Sequence, residues 1–258
     1  MGESSFKERV RKILIDEALN YQRNYVDYEY LIWIKGSKQK FYILSGMERN
    51  FIHLTGVHTN LDKKIFYEKC IAGDLKITDF SLVDEDGKDI KGTVRRKITV
   101  LNNMNCLMQK KELYVQDKFV KNRVVCTIGA SDCACTVGFI QSSKQKMARA
   151  FPKTLLKGNE LKDTQKVELL LRRKKGNKKF DEILIGNREI IRGNFEELKE
   201  IVAVDLYIKK EENRMSKFYK HKMVYFKIKV PICFNPNAYV KRVIKCKLAY
   251  RSKRTYYE

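Results

Sequence analysis

Apolar residues recur at helical spacing near the start of the chain and then give way to short strand-like runs. Phe6, Val10, Ile13, Leu14 and Leu19 fall on one face of a helix, with Lys and Arg between them. A basic amphipathic helix of this kind either packs on a sheet or touches a membrane surface, and we favour packing.

A hairpin is predicted next. Tyr28–Ile34 and Phe41–Leu44 are rich in aromatic and β-branched residues, and Gly36-Ser37 with the surrounding lysines marks a turn between them. Asp84-Glu85-Asp86-Gly87 is an acidic turn, because no ligand follows at the offset that a calcium loop requires.

Three further helices are predicted. Asn60 is placed to cap a helix over Leu61–Ala72, which Gly73 closes. Apolar periodicity indicates the others over Thr93–Met104 and Asn187–Ala203.

The remaining strand signals alternate with turn residues. Gly129–Asp132 and Gly176-Asn177 are interpreted as hairpin turns. The candidate strands are Leu113–Val115, Arg123–Ile128, Cys133–Ile140, Val167–Leu171, Phe180–Ile185 and Val224–Val230. Strands joined by hairpins around few helices predict an α+β fold, an antiparallel β-sheet with flanking helices. A change of character near residue 187 divides the chain into a domain over 1–187 and a basic C-terminal extension over 188–258.

The net charge of the chain indicates which class of molecule it binds. The chain has 54 Lys and Arg against 31 Asp and Glu, a formal net charge of +23. Self-repulsion on this scale favours a polyanionic partner, with nucleic acid first and an anionic membrane second. A lysine-rich proteome is the alternative explanation. We expect RNA, and the sequence leaves DNA open.

The cysteines and the hydropathy pattern indicate in which compartment the protein works and whether it binds a metal or cofactor. Seven cysteines, an odd number, indicate free thiols rather than a disulfide framework. Charged first residues and the lack of a long apolar run predict a cytoplasmic protein that does not enter a membrane. Cys126, Cys133 and Cys135 lack the spacing of a zinc site and are interpreted as buried thiols. Without a Walker or Gly-x-Gly-x-x-Gly motif, we expect no metal and no cofactor.

Histidine is the residue type best suited to acid–base catalysis. There are three in the chain, and His53 lies beside Thr55 and Gly56 in the unusual stretch Phe51–Gly56. An imidazole can take a proton from a ribose 2′-hydroxyl or give one to the leaving 5′-oxygen. The alternative is a histidine that bonds a backbone carbonyl and anchors the turn before the next helix.

Cations that could stabilise a phosphorane occur in two sets. One set is Arg149, Lys153 and Thr154, and the other is Arg95, Arg96 and Lys97. Each set is equally consistent with a solvated face or a phosphate-positioning surface. Further candidates for nucleic-acid binding are Lys144, Lys146, Arg251, Lys253 and Arg254, and the last three lie among C-terminal tyrosines that could stack bases.

Several of these stretches resemble a known family in order and type. The resemblance covers about residues 20–187 and is to the fourth group of phage nuclease-like domains named after barnase, EndoU, the tRNA-cutting colicins and RelE. It is carried by Tyr42-Ile43-Leu44, Asn50-Phe51-Ile52-His53-Leu54-Thr55-Gly56-Val57, Leu113-Tyr114-Val115, Val137-Gly138-Phe139, Phe151-Pro152-Lys153-Thr154-Leu155-Leu156 and Val167-Glu168-Leu169-Leu170-Leu171.

The resemblance implies an antiparallel α+β nuclease fold, metal-independent RNase activity and a home on phages or other mobile elements. It directs attention to His53, Thr55, Arg149 and Thr154. The chain departs from better-known RNases of this fold because it has no well-placed second histidine, so the general acid is unassigned.

Three functional hypotheses follow. The first is an endoribonuclease, as a toxin or conflict effector with an antitoxin or other mobile-element protein as partner. In it His53 is the general base or acid, Arg149 and Lys153 stabilise the phosphorane, and Thr55 or Thr154 orients phosphate. The second is a nucleic-acid-binding module without catalysis. The third is a protein that docks on another mobile-element protein through its basic surface.

Overall fold

The computed structural model describes residues 3–35, 41–121, 124–143 and 147–208. The α-helices are α1 (Glu3–Tyr21), α2 (Phe51–Thr55), α3 (Lys63–Ala72), α4 (Lys91–Asn105), α5 (Arg188–Gly193) and α6 (Phe195–Leu198). The strands are β1 (Tyr28–Trp33), β2 (Phe41–Ser45), β3 (Tyr114–Asp117), β4 (Val120–Lys121), β5 (Val124–Val125), β6 (Ile128–Ser131), β7 (Cys135–Gln141), β8 (Arg149–Lys157), β9 (Gln165–Lys166), β10 (Leu169–Lys174) and β11 (Glu182–Ile185).

One large sheet organises the described chain, in the strand order β11-β10-β1-β2-β8-β7-β6-β3-β9. Neighbouring strands in this sheet are antiparallel except for β2 and β8, which run parallel. That parallel contact is short: Ile43 faces Arg149 and Leu44 faces Ala150, after which β2 ends at Ser45 and the chain enters the helices. The predicted α+β class with a mostly antiparallel sheet is confirmed.

Helices α1 to α4 cover one face of this sheet. Val10 and Leu14 of α1 are fully buried, as the helical spacing predicts, and a π-helical turn over Gln22–Val26 continues α1 towards β1. The aromatic rings of Tyr21, Phe51 and Tyr67 meet with centroids 5.4 to 6.1 Å apart. This cluster fastens α2 against α1 and α3, because offset and edge-on ring contacts stabilise specific arrangements.

The other face is covered over β1, β2 and β10 by the chain after residue 187. Leu31 and Ile43 point to that side, where Ile191 of α5 and Leu198 of α6 are fully buried. Strands buried on both faces read as continuous apolar runs, which explains why β1 and β2 show little alternation. The boundary near residue 187 stays a prediction, although residues 188–208 pack on this sheet.

Local signals explain most element boundaries. The two hairpins β1–β2 and β10–β11 form as predicted. Gly73 ends α3 in the left-handed region, but Asp62 rather than Asn60 caps it, accepting hydrogen bonds from the amides of Lys64 and Ile65. The predicted helix over 187–203 is two short helices, α5 and α6, broken at Asn194.

Three strand predictions need correction. Of the predicted strand Arg123–Ile128, Arg123 lies outside the described residues, Val124–Val125 form β5 and Ile128 begins β6. Gly129 lies inside β6, so the hairpin turn falls at 132–134 instead of Gly129–Asp132. There the Asp132 carboxylate accepts from the amides of Ala134 and Cys135. The central strand β8 was not predicted, since it contains Pro152 and proline is rare inside sheets.

Some predictions fall outside the described residues. They are the turn at Gly36-Ser37, the strand Val224–Val230 and the basic residues Lys144, Lys146, Arg251, Lys253 and Arg254. Among the described helices, none combines the length and apolar composition that crossing a bilayer requires.

Candidate active site

Helix α2 presents a single side chain outwards. Phe51, Ile52, Leu54 and Thr55 are buried, and His53 between them is partly exposed. The apolar neighbours therefore fix the backbone, while the imidazole lies at the surface.

The end of α2 is fastened to α4. Gly56 takes a left-handed conformation with φ of 80°, and a Cβ there would lie 2.9 Å from Cδ of Lys97. Glycine is therefore required both by the backbone angle and by the close approach. The ammonium of Lys97 donates a 2.6 Å hydrogen bond to the carbonyl of His53.

A second lysine reaches the imidazole from α3. Lys63 is the first residue of that helix, directly after the capping Asp62, and its Nζ lies 3.4 Å from Nε2 of His53. An ammonium can only donate, so Nε2 is the acceptor and the neutral ring has its proton on Nδ1.

A bulge in β8 provides a third lysine. Gly138 of β7 pairs with Thr154 and Phe139 pairs with Pro152, so Lys153 is an extra residue with no partner in β7. Bulges redirect side chains and accommodate proline, and they are frequent beside active sites. The charge of Lys153 is one of those that act on His53.

We call Lys63, Lys97 and Lys153 the lysine cluster. Burial, followed by the charges of Lys63, Lys153 and Lys97, lowers the pKa of His53 from 6.5 to about 4. Burial lowers the pKa of Lys97 from 10.5 to about 8. At neutral pH the site therefore holds an uncharged imidazole among ammonium groups. The ammonium groups can bind an anion, and the imidazole can accept a proton.

The two threonines do not reach this cluster. The Thr55 hydroxyl is fully buried, donates to the carbonyl of Ile52 and accepts from the amide of Val57. The buried Thr55 hydroxyl therefore stabilises the end of α2. This position does not fit the expected role of orienting phosphate. Thr154 lies against Gly138 on the opposite face of the sheet from α2.

Arg149 also lies on the face away from α2. Its neighbour Ala150 joins the core under the helices, so Arg149 points to the other side. There it donates to the carboxylate of Glu29, whose other oxygen accepts a 2.7 Å hydrogen bond from Nε of Arg173. The expected convergence of His53 and Arg149 in one cleft is not found, because alternation along β8 separates them.

Glu29 and Arg173 were missed at the level of sequence. Their side chains are 1% and 8% exposed, whereas that of Arg149 is 48% exposed. Burial alone would raise the pKa of Glu29, but the hydrogen bonds from Arg149 and Arg173 outweigh it and the pKa is lowered. A carboxylate inside a run of aromatic and aliphatic strand residues was the available signal. Lys63 was missed because the cap was placed at Asn60.

Arg95, Arg96 and His58 contact residues other than His53. On α4, Arg96 is exposed and its guanidinium lies 3.5 Å from the Thr93 hydroxyl, next to Gly56, whereas the Arg95 guanidinium lies 5.3 Å from the ring centre of Phe6. His58 contacts Asn60 through Nε2 at 3.1 Å. Only Lys97 of this α4 set touches His53.

Cysteines and possible metal ligands do not add to the site. Cys126 and Cys135 are buried as expected, but Cys133 is exposed in the turn after β6. Across the part of the chain that the structure describes, no three His, Cys, Asp or Glu side chains form a group that could hold a metal ion.

Comparison with known proteins yields one match. The family model described as phage-Barnase-EndoU-ColicinE5/D-RelE like nuclease4 matches residues 13–189, which include α2, the lysine cluster and all nine strands of the large sheet. No curated protein and no solved structure matches the chain.

Proposed function

Because the chain belongs to the phage-Barnase-EndoU-ColicinE5/D-RelE like nuclease4 family, we propose that it is an endoribonuclease that cleaves RNA without a metal ion. The observation that carries the proposal is the imidazole of His53 held among Lys63, Lys97 and Lys153. A neutral imidazole surrounded by cations fits a phosphodiester whose neighbouring hydroxyl must lose a proton.

The proposed reaction is an internal transfer of the phosphoryl group. The Lys63 ammonium moves from Nε2 of His53 to the phosphate, the freed Nε2 accepts the proton of a ribose 2′-hydroxyl, and the 2′-oxygen attacks the adjacent phosphorus. The ammonium groups of Lys63 and Lys153 stabilise the charge that builds up on the phosphorane. The bond to the 5′-oxygen then breaks, leaving a 2′,3′-cyclic phosphate on one product and a 5′-hydroxyl on the other.

The leaving 5′-oxygen needs a proton, and Lys153 is our candidate for the donor. It is exposed at the bulge of β8, whereas Lys97 is engaged with the His53 carbonyl. Lys97 is a positioning residue in this scheme. This assigns the general acid without a second histidine.

Chemistry without a metal is supported by the charge of the site. The groups that act on His53 are ammonium ions, which repel a divalent cation. The same cations attract a phosphate, so the surroundings of the imidazole favour a nucleic-acid phosphate as the ligand.

The test uses purified protein, defined RNA and EDTA. Wild-type protein is expected to produce 2′,3′-cyclic ends, His53→Gln is expected to lose cleavage while it still binds RNA, and His58→Gln serves as the matched control. Intact RNA with wild-type protein, or equal cleavage by His53→Gln, would reject the proposal. Chimeric substrates with one ribonucleotide in DNA locate the reacting hydroxyl.

A nucleic-acid-binding module without catalysis is the second candidate. A histidine with a pKa of about 4 is a weak base, which favours a site that binds phosphate and goes no further. This candidate gives salt-dependent binding of RNA and no cyclic ends in the same experiment.

The proposed biological role is that of a toxin or conflict effector of a phage or other mobile element, acting in the cytoplasm. Induced expression of wild-type protein should arrest growth and His53→Gln should not, at equal protein levels. Growth unaffected by wild-type protein would remove this role and leave the enzymatic proposal standing.

A further inference from the structure

A basic concavity borders the 3-10 turn before α2 and the first turn of α3. It is bordered by Val26, Met47, Glu48, Arg49, Lys64 and Lys175. Met47 and Val26 give it an apolar wall, and three cations with one carboxylate give it a positive rim. A mixture of this kind suits a nucleotide, which has an apolar base and an anionic phosphate.

Two sequence relationships link this concavity to the site. The 3-10 turn Glu48–Asn50 runs directly into α2, so Arg49 lies four residues before His53 in one continuous helical segment. Lys64 directly follows Lys63, whose ammonium contacts the His53 ring. The concavity and the imidazole therefore belong to the same two parts of the chain, segment 48–55 and the first turn of α3.

The three cations differ in their partners. Lys64 lies 3.8 Å from Glu48 and 3.6 Å from Glu68, and these ion pairs are exposed and weak. Lys175 donates a 3.1 Å hydrogen bond to the carbonyl of Gly46, which positions its ammonium at the rim. Arg49 is exposed, with a 3.8 Å contact to the Met47 sulfur.

We propose that this basic concavity, through Arg49, Lys64 and Lys175, binds the RNA phosphate next to the one that is cleaved at His53. The inference rests on the proposed function and extends it, because it makes a single-stranded RNA of several nucleotides the substrate rather than a dinucleotide. The apolar wall accommodates the base attached to that phosphate.

The experiment measures binding of oligonucleotides that cannot react. Fluorescent 2′-O-methyl RNA of two, four and eight nucleotides is titrated with full-length wild-type protein and with Arg49→Ala, Lys64→Ala and Lys175→Ala. Lys162→Ala is the matched control. This exposed lysine lies between β8 and β9, and β9 is the edge strand at the end of the sheet opposite β11. Circular dichroism and urea unfolding confirm that each variant is folded.

The expected result is a loss that depends on length. Each of the three variants should weaken binding of the four- and eight-nucleotide strands about 3- to 10-fold and reduce the salt dependence by about 0.7 per lost phosphate contact. Binding of the dinucleotide should stay unchanged, and Lys162→Ala should match wild type throughout.

The outcomes separate this inference from the enzymatic proposal. If all three variants bind every length like Lys162→Ala, the concavity is not a subsite, even where wild-type protein cleaves RNA. If wild-type protein leaves RNA intact while the length-dependent loss is present, the subsite stands and the nuclease proposal fails. Equal losses for the dinucleotide would place these cations at the imidazole site itself and overturn the inference.

Discussion

The ammonium of Lys97 donates a 2.6 Å hydrogen bond to the backbone carbonyl of His53. One contact therefore ties the histidine-bearing helix α2 to α4 and brings a positive charge close to the imidazole. Position and electrostatics of His53 depend on the same side chain, and this coupling makes the site testable by single substitutions.

Titration of His53 is the first prediction. Its pKa of about 4 in the folded protein lies below the usual 6.5, so the ring stays neutral until the pH falls well below 6. The contribution of this neutral ring to stability is present above 6.5 and is lost as the pH falls to about 4. NMR of the imidazole should show this midpoint.

Inorganic phosphate should raise that midpoint, because an anion among the three ammonium groups favours the imidazolium. Lys63→Met should raise it as well, since it removes the nearest charge. Lys162→Met is the control and should leave it unchanged. A midpoint near 6.5 that responds to neither change would contradict the described electrostatics.

Replacement of Lys97 is the second prediction. Lys97→Met keeps the aliphatic stem and removes the hydrogen bond to His53, so unfolding should cost about 1–2 kcal/mol less and kcat should fall. Urea unfolding and single-turnover cleavage measure these effects.

The pH dependence gives a sharper readout for the same variant. The folded pKa of Lys97 is about 8 and its ordinary value is 10.5, so between these values the unfolded chain binds more protons. Wild-type stability should therefore rise relative to Lys97→Met from pH 8 to pH 10.5. A constant difference across this range would show that Lys97 is not desolvated.

A glycine pair provides the third prediction. Gly56 and Gly73 both have φ near +80°, but a Cβ at Gly56 would crowd Lys97 whereas nothing lies within 4 Å at Gly73. Gly73→Ala should cost about 1 kcal/mol from backbone strain alone. Gly56→Ala should cost more and should also reduce cleavage, because it displaces the contact that positions His53. Equal costs and unchanged cleavage would mean that α2 tolerates movement away from α4.

The fourth prediction contrasts the two faces of the sheet. Lys153→Ala should reduce kcat by about 100-fold. Arg149→Ala should leave cleavage within about twofold, because Arg149 serves Glu29 on the face away from His53. Glu29→Gln should destabilise the protein by about 3 kcal/mol, since it leaves the buried Arg173 without its charged partner. Loss of activity in Arg149→Ala without loss of stability would return Arg149 to the catalytic group.

Local patterns were sufficient where the cause of structure is local. The apolar spacing of α1, the paired runs of β1 and β2 and the closing role of Gly73 follow from neighbours a few residues apart, and the structure confirms them. The strand β8 was not predicted because proline has a low propensity for strands. Pro152 is accommodated only because β8 pairs with β7 through a bulge.

The sequence alone determined that the chain is strongly basic, that it builds an α+β domain and that His53 in its short apolar stretch is the residue to examine. Tertiary structure alone decided which cations meet it. Arg149 and Lys153 are four residues apart on one strand, yet alternation turns the first to Glu29, whereas the second lies at a bulge and its charge acts on the imidazole. Side-chain direction depends on strand pairing across the sheet, and no window of neighbouring residues contains that information.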